Sequence, residues 1–363
     1  MKTIKQLLAL AVLLCYSAAN ARPDFTKVDR WLAQHAPQMG GRLFLVLYKD
    51  GRKVYSHGEN QLSGRQRLLL KRIATKQGKT PDYGDYTADT KQPIASCSKW
   101  LSAALVMTFV DEGKLSLNDT VGKFLPVLSA HGKGGITITQ CLSHLTGIRS
   151  PDLKEDVGEI RQAKSMDEVI GKIALLPMEG KPGRVFRYSN TGLQIAGAVI
   201  EKIGRKPFQA LFDQRIARPL EMTGTDFGSH KVAMPAGGAV STPDDYMKFL
   251  VMILNQGLFK GKRILSENSI AQMQVNRISS EVQVTYKPEQ SGALGYGFGE
   301  WIMPARPDRV TSSSVSSPGL FGSYPWVDNQ NETAGFLMAF YLDHSHRAAD
   351  YQELRALVND ALQ

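Results

Sequence analysis

The chain has 363 residues, of which 42% are hydrophobic, 21% charged and 8% aromatic, a composition that excludes collagenous, low-complexity and disordered proteins. Its formal net charge of +10 is a moderate basic excess with no nucleic-acid motif beside it, so nucleic acid is not an expected partner. A chain of this length buries a large core without needing disulfides.

Lys2 and Lys5 precede a short apolar run over residues 7–14, and small residues end in Ala19, Asn20 and Ala21. This pattern predicts a signal peptide over residues 1–21 and a periplasmic or secreted mature protein over residues 22–363. The run is far shorter than the roughly 20 residues of a membrane-spanning helix. No later stretch supplies one, so no integral membrane segment is expected after cleavage. Removing residues 1–21 lowers the net charge to about +8. Cys97 and Cys141 remain; an oxidising compartment lets them pair, and two buried free thiols are the alternative.

Asp24 caps a first helix in which Val28, Trp31 and Leu32 recur at helical spacing. Two β-prone runs, 42–48 and 52–56, flank the hairpin dipeptide Asp50-Gly51. Residues 58–92 read as a polar loop holding one short helix. There Arg65, Arg67, Lys71, Arg72, Lys76 and Lys79 accompany Leu68, Leu69, Leu70 and Ile73. Such a segment is either a patch for an anionic surface or polymer, or a solvated helix with one apolar face. The lack of interleaved aromatics favours the second.

From Ser96, the positions of Leu101, Leu105, Val106 and Phe109 predict a long helix with one apolar stripe, ending at Gly113. Helical patterns continue to Gly257, clearest over 191–203 and 242–254, where Thr242 caps and Pro243 takes the first position. Strand patterns return over 295–302, 321–328 and 334–342, and a last helix covers 349–362. An early hairpin, a helical insertion over about 115–260, late strands and a closing helix predict an α+β fold. The late strands must then pair with the hairpin across the insertion.

No Gly-x-Ser-x-Gly elbow, phosphate-cradling Gly-x-x-x-x-Gly-Lys or His-Glu-x-x-His zinc site occurs. Gly295-Tyr296-Gly297-Phe298-Gly299 ends in Glu300 and reads as strand. His344 and His346 read as surface residues, so no metal is expected. What remains is Ser96-Cys97-Ser98-Lys99, where extended chain becomes helix. Residues three apart share a helix face, so the Ser96 hydroxyl and the Lys99 amine can meet. The helix start adds unpaired N–H groups and positive potential, which favour an alkoxide and depress the pKa of a buried lysine. A neutral lysine can then accept the serine proton. The plainer reading of Ser96 is a helix cap. Downstream, Tyr188-Ser189-Asn190 offers a phenol to relay a proton and an amide to orient lysine and substrate; the plainer reading of Tyr188 is a core aromatic.

Five segments follow one another in a specific order: Pro93-Ile94-Ala95-Ser96-Cys97-Ser98-Lys99-Trp100; residues 113–119 with 124–126; residues 142–148; Phe186-Arg187-Tyr188-Ser189-Asn190; and residues 236–238 leading into 241–245. Together they resemble the serine β-lactamase-related superfamily, particularly its class C-like branch of D,D-carboxypeptidases, esterases and amide hydrolases. The resemblance implies a β-lactamase/transpeptidase-like fold, an antiparallel sheet flanked by N- and C-terminal helices. It implies Ser96 as acylated nucleophile, Lys99 as its proton acceptor, Tyr188 as the base that also serves water in deacylation, and Asn190 in substrate binding. Which of Lys99 and Tyr188 takes the first proton stays open, since the two titrate as a pair.

Ser317-Pro318-Gly319-Leu320 matches the family's third motif, and its Leu320 N–H would join that of Ser96 in an oxyanion hole. Asn190, Ser317, Gly319 and Leu320 are thus the expected substrate-binding residues. Ser317 stands where the family usually has lysine or histidine, which removes a charge-assisted bond of about 1.5–3 kcal/mol to a substrate carboxylate. Neutral esters or amides then fit better than β-lactams, unless Arg306 or Arg309 restores a cation. His144 reads as a structural residue in a helix of the insertion. The sequence reading is an exported serine hydrolase for a small ester or amide, without metal or organic cofactor. The alternatives are a low-activity D,D-carboxypeptidase or β-lactamase, a cell-wall fragment as substrate, or a non-catalytic binding protein of the same fold.

Overall fold

The computed structural model describes residues 23–76, 78–228, 231–288, 291, 295–303, 314–343 and 345–363. The expected signal peptide, Arg306, Arg309 and His344 lie outside them. Asp50 (φ 49°) and Gly51 (φ 76°) are both left-handed and turn the chain between β1 (Arg42–Lys49) and β2 (Arg52–Asn60). That two-residue turn matches the natural twist of the strands it joins.

Five later strands complete a seven-stranded antiparallel sheet: β3 (Gly295–Tyr296), β4 (Trp301–Met303), β5 (Ser314–Ser316), β6 (Tyr324–Asp328) and β7 (Thr333–Ala339). The order is β2-β1-β7-β6-β5-β4-β3. The hairpin and the late strands pair as expected, with Leu45 opposite Leu337. Residues 295–302 form two strands instead of the one expected, because Gly299 (φ 75°) helps turn the chain back so that Tyr296 faces Trp301.

The alternation along β1 explains why nearly all of it is buried. Phe44 and Val46 face the helical body, whereas Leu43, Leu45 and Leu47 face the two terminal helices. These are α1 (Thr26–His35), held by Val28, Trp31 and Leu32, and α8 (Arg347–Ala361), held by Tyr351, Leu354 and Val358. Burying one such leucine stabilises the fold by about 1.5–3 kcal/mol, so Leu45→Asp would separate the sheet from its outer layer.

Between the hairpin and β3 lie α2 (Gly64–Lys76), α3 (Ser98–Asp111), α4 (Ile138–Leu142), α5 (Leu153–Gln162), α6 (Thr191–Gly204) and α7 (Pro243–Leu254), together with further helices such as Met166–Leu175 and Glu267–Met273. Two expectations fail here. First, α3 is buried on all sides from Ser98 to Phe109, not along one stripe, since it runs through the middle of the molecule. Second, α2 turns no apolar stripe to the core: only Ala74 is buried on it, while Leu68, Leu69 and Ile73 are exposed. The two cysteines are free and buried. Among the described residues no helix is long and apolar enough to cross a membrane.

Candidate active site

The site forms where α3 meets the edge of the sheet. Ala95, Ser96 and Cys97 make a 3-10 turn ahead of α3, and Ala95 is left-handed at φ 45°. A non-glycine residue in that region costs about 1–3 kcal/mol and persists only where its surroundings dictate it. Here Ser98 Oγ donates to Ala95 O (2.5 Å) and accepts the Ala239 N–H (3.0 Å), while the Tyr246 hydroxyl donates to Cys97 O (2.8 Å). Ser98 is therefore the serine tied into the backbone at the helix start. Ser96 is left half-buried, with its hydroxyl on the cleft.

Lys99, one turn later, is 1% exposed. Its Nζ lies 2.7 Å from Ala236 O, 3.3 Å from Asn190 Oδ1 and 3.2 Å from Ser96 Oγ. Burial brings its pKa down to about 7, against the opposing pull of Asp156. Two of the three neighbours can only accept. A neutral amine therefore points its two hydrogens at Ala236 and Asn190, and its lone pair at the Ser96 hydroxyl.

Asn190, at the start of α6, donates Nδ2–H to Asp156 Oδ2 on α5 (2.7 Å), which fixes the orientation of its amide. Asp156 is itself buried, and that burial raises its pKa. Tyr188 follows a short strand, Val185–Arg187, that runs parallel to Gln283–Tyr286. Its ring stacks on Trp301 (5.2 Å, 28°) and packs on His144 (4.7 Å), with Lys99 Nζ 4.8 Å from its centroid. Burial pushes the phenol above its ordinary range, and the Ser96 hydroxyl beside it pulls the other way.

His144 occupies a left-handed turn (φ 58°) after α4, not a helix as expected. Its Nδ1 accepts the Ser189 N–H (3.4 Å), so Nε2 carries the proton and donates to the Tyr296 hydroxyl (3.0 Å). Burial holds its pKa well below the usual value. His144 is thus a neutral brace behind Tyr188.

The third motif lies directly after β5. Gly319 approaches so closely that a Cβ on it would sit 2.4 Å from Ile94 O. Buried Arg347, at the start of α8, donates Nη1–H to Gly319 O (3.3 Å) and Leu320 O (3.0 Å) from behind. Gly319 C=O and Leu320 N–H belong to one trans peptide and point in opposite directions. Holding the carbonyl away from the cleft therefore turns the Leu320 N–H toward it. Among the described residues, neither the Ser96 nor the Leu320 amide donates to a protein acceptor.

Of the expected residues, Ser96, Lys99, Tyr188 and Asn190 come together, and Leu320 lines the same cleft of about 560 Å³. Ser317 and Gly319 stand behind it. The Ser317 hydroxyl lies 2.9 Å from Gly299 O and 3.2 Å from Ser96 O, so it supports the Ser96 backbone where a substrate contact was expected. Asp156, Trp301 and Arg347 were not anticipated. Their sequence neighbourhoods carry no motif, and only folding brings them to the site.

A seven-stranded sheet between terminal helices and a helical body, with serine, lysine and tyrosine at the junction, is the β-lactamase/transpeptidase-like architecture. The family model described as Beta-lactamase matches residues 32–363, and the chain belongs to this family of serine hydrolases. Protein Rv1367c of Mycobacterium tuberculosis is 26% identical over 326 residues, 73% of this chain and 80% of that protein. A beta-lactamase candidate from Bacteroides dorei DSM 17855 superposes with a TM-score of 0.76 at 27% identity, covering 94% of this chain and 99% of that one. EstCE1, described as a hydrolase with promiscuous acyltransferase activity, superposes with a TM-score of 0.69 at 18% identity, over 93% of this chain and 100% of its own; that likeness is one of fold.

Proposed function

We propose that this chain is an exported serine hydrolase that acylates Ser96 with a small, neutral ester or amide and then hydrolyses the acyl-enzyme. The observation that carries this reading is the position of Lys99 Nζ, 3.2 Å from Ser96 Oγ with its other two neighbours able only to accept. At neutral pH a large fraction of this amine is unprotonated, while the Tyr188 phenol keeps its proton. Lys99 is accordingly the first base. The Ser96 proton passes to Nζ as Oγ attacks the carbonyl carbon, and the Ser96 and Leu320 N–H groups receive the charge on the carbonyl oxygen. The C–O or C–N bond then breaks, and the leaving group takes a proton from the Lys99 and Tyr188 pair. Water, deprotonated by the same pair, releases the acid.

Neutral substrates are favoured because Ser317 supplies no charge and its hydroxyl is directed at backbone carbonyls. Within the cleft, Arg187 is already paired with Glu179 at 2.8 Å. Intact-mass measurement after exposure to p-nitrophenyl esters tests the reading: the acyl adduct should map to Ser96, and Ser96→Ala should abolish both adduct and turnover without lowering Tm. Persistent labelling by a fluorescent penicillin with no ester turnover would instead favour a D,D-peptidase or β-lactamase. Undiminished hydrolysis by Ser96→Ala would defeat the assignment of the site.

A further inference from the structure

We propose that the outer face of α2 docks on an anionic lipid membrane. The helix is attached along one side only. Gln66 Nε2 donates to Pro37 O (2.8 Å), Arg67 Nε donates to Leu62 O (3.4 Å), and Ala74 is buried. Helical spacing places Arg65, Leu68, Leu69, Arg72, Ile73 and Lys76 on the opposite side. Leu68 is 50%, Leu69 55% and Ile73 37% exposed. An isolated surface leucine needs no explanation, but three large apolar side chains on one short helix face form a patch that does.

The charge around the patch identifies what covers it. No acidic residue occurs from position 61 to 81, so the cations of this helix have no acid within their own segment. The first acids that follow are engaged elsewhere, Asp82 with Arg42 at 3.2 Å and Asp85 with Asn60 at 2.8 Å. An anionic polymer would need the cations but would leave the leucines in water. A lipid surface satisfies both, because the cations meet headgroup phosphates while Leu68, Leu69 and Ile73 enter the boundary with the acyl chains. At 13 residues α2 is about 20 Å long, enough to lie on a bilayer and too short to cross one. The surface is independent of the hydrolase reading.

Co-sedimentation with vesicles tests it, using the full chain so that residues 1–22 are common to every protein compared. Vesicles of phosphatidylcholine alone are set against equimolar phosphatidylcholine and phosphatidylglycerol. Wild type should partition onto the anionic vesicles and lose that partition as salt is raised. Two triple variants, Leu68→Ser/Leu69→Ser/Ile73→Ser and Arg65→Gln/Arg72→Gln/Lys76→Gln, should each weaken it by at least about tenfold, with unchanged circular dichroism and ester hydrolysis. Equal partition of wild type and both variants would overturn the proposal, as would equal binding to neutral vesicles. If the cation variant alone lost binding, and lost heparin binding in parallel, the surface would recognise an anionic polymer and the lipid assignment would be wrong.

Discussion

Asn190 donates its side-chain N–H to the buried carboxyl of Asp156 at 2.7 Å, and this bond is what aims its Oδ1 at the Lys99 amine 3.3 Å away. The carboxyl also acts through charge, as an influence that raises the Lys99 pKa. Asp156→Leu removes both effects. A buried donor left unpaired costs about 1–3 kcal/mol of stability, and an amide no longer held by Asp156 stops aiming its Oδ1 at Lys99, so kcat/KM should fall as well. Its acidic limb should also move to lower pH than in wild type. An unmoved limb in the pH profile would mean that Asp156 only packs.

Lys99, as the proposed first base, should set the rate profile. With the pKa brought down to about 7, kcat/KM should rise with pH through that value and then level. Lys99→Met should lower it by about 10²–10⁴-fold. The sign for stability is the reverse of an ion pair's. The folded pKa lies below the ordinary 10.5, so the unfolded chain holds the proton more tightly between those values. Lys99 therefore destabilises the fold most below about pH 7 and progressively less toward pH 10.5. Urea melts across this range should show that slope in wild type and lack it in Lys99→Met.

Arg347 reaches the site from outside the cleft, and in the proposed reaction it would position an oxyanion donor. Its Nη1 holds Gly319 O and Leu320 O, and its Nη2 donates to Tyr341 O (3.2 Å) and Asp343 O (3.3 Å). Arg347→Met loosens the peptide that presents the Leu320 N–H, which the Gly322 N–H still holds through Gly319 O (3.0 Å). Loss of one oxyanion donor costs about 10²–10³ in kcat, so kcat should fall by at most that range with KM nearly constant. Arg347→Lys should recover part of it. A parallel loss of kcat and Tm with no recovery by lysine would reduce Arg347 to a structural role.

Glu300 is fully buried beside Trp301, and among the described residues neither carboxyl oxygen has a hydrogen-bond partner. Burial raises its pKa well above the ordinary carboxyl value. The folded chain then keeps a proton that the unfolded chain releases, so stability falls as pH rises above about 4.5 toward the folded pKa. Replacing the carboxyl with an apolar side chain of similar size should remove this dependence. Glu300→Met is expected to gain about 1–4 kcal/mol at neutral pH and much less at pH 4, as thermal melts at the two pH values would show. Equal or lower stability at both would point to an unseen partner for the carboxyl.

The hairpin and the candidate site were unequally legible. Asp50-Gly51 announces its turn because the backbone there demands left-handed residues, a strictly local requirement. Ser96 and Lys99 are likewise local, since three residues of helix bring them onto one face. Tyr188 and Asn190 could be named by chemistry as a phenol and an amide, but only the family resemblance placed them beside Ser96, because no physical rule links position 96 to position 188 in a chain. Periodicity misjudged α2 and α3 for one reason: it reports where apolar residues recur, not what surrounds the helix. Ser98 to Phe109 run through the centre of the core, whereas Leu68 and Leu69 face outward.

The amino-acid order by itself determined the turn at Asp50, the Thr242 cap of α7, the α+β arrangement, and the adjacency of one serine to one lysine. Each follows from forces acting over a few residues. The first helix, by contrast, starts after Phe25 with no side-chain cap, and the expected cap Asp24 accepts the Thr26 N–H instead. Folding alone decided that Asp156 would orient Asn190, that Trp301 would stack on Tyr188, and that Arg347 would turn a peptide from the far side of the sheet. It also determined that Lys99 would be buried, which lowers its pKa. Desolvation and three-dimensional contact have no representation in linear order, because both depend on which distant segments exclude solvent from the same point.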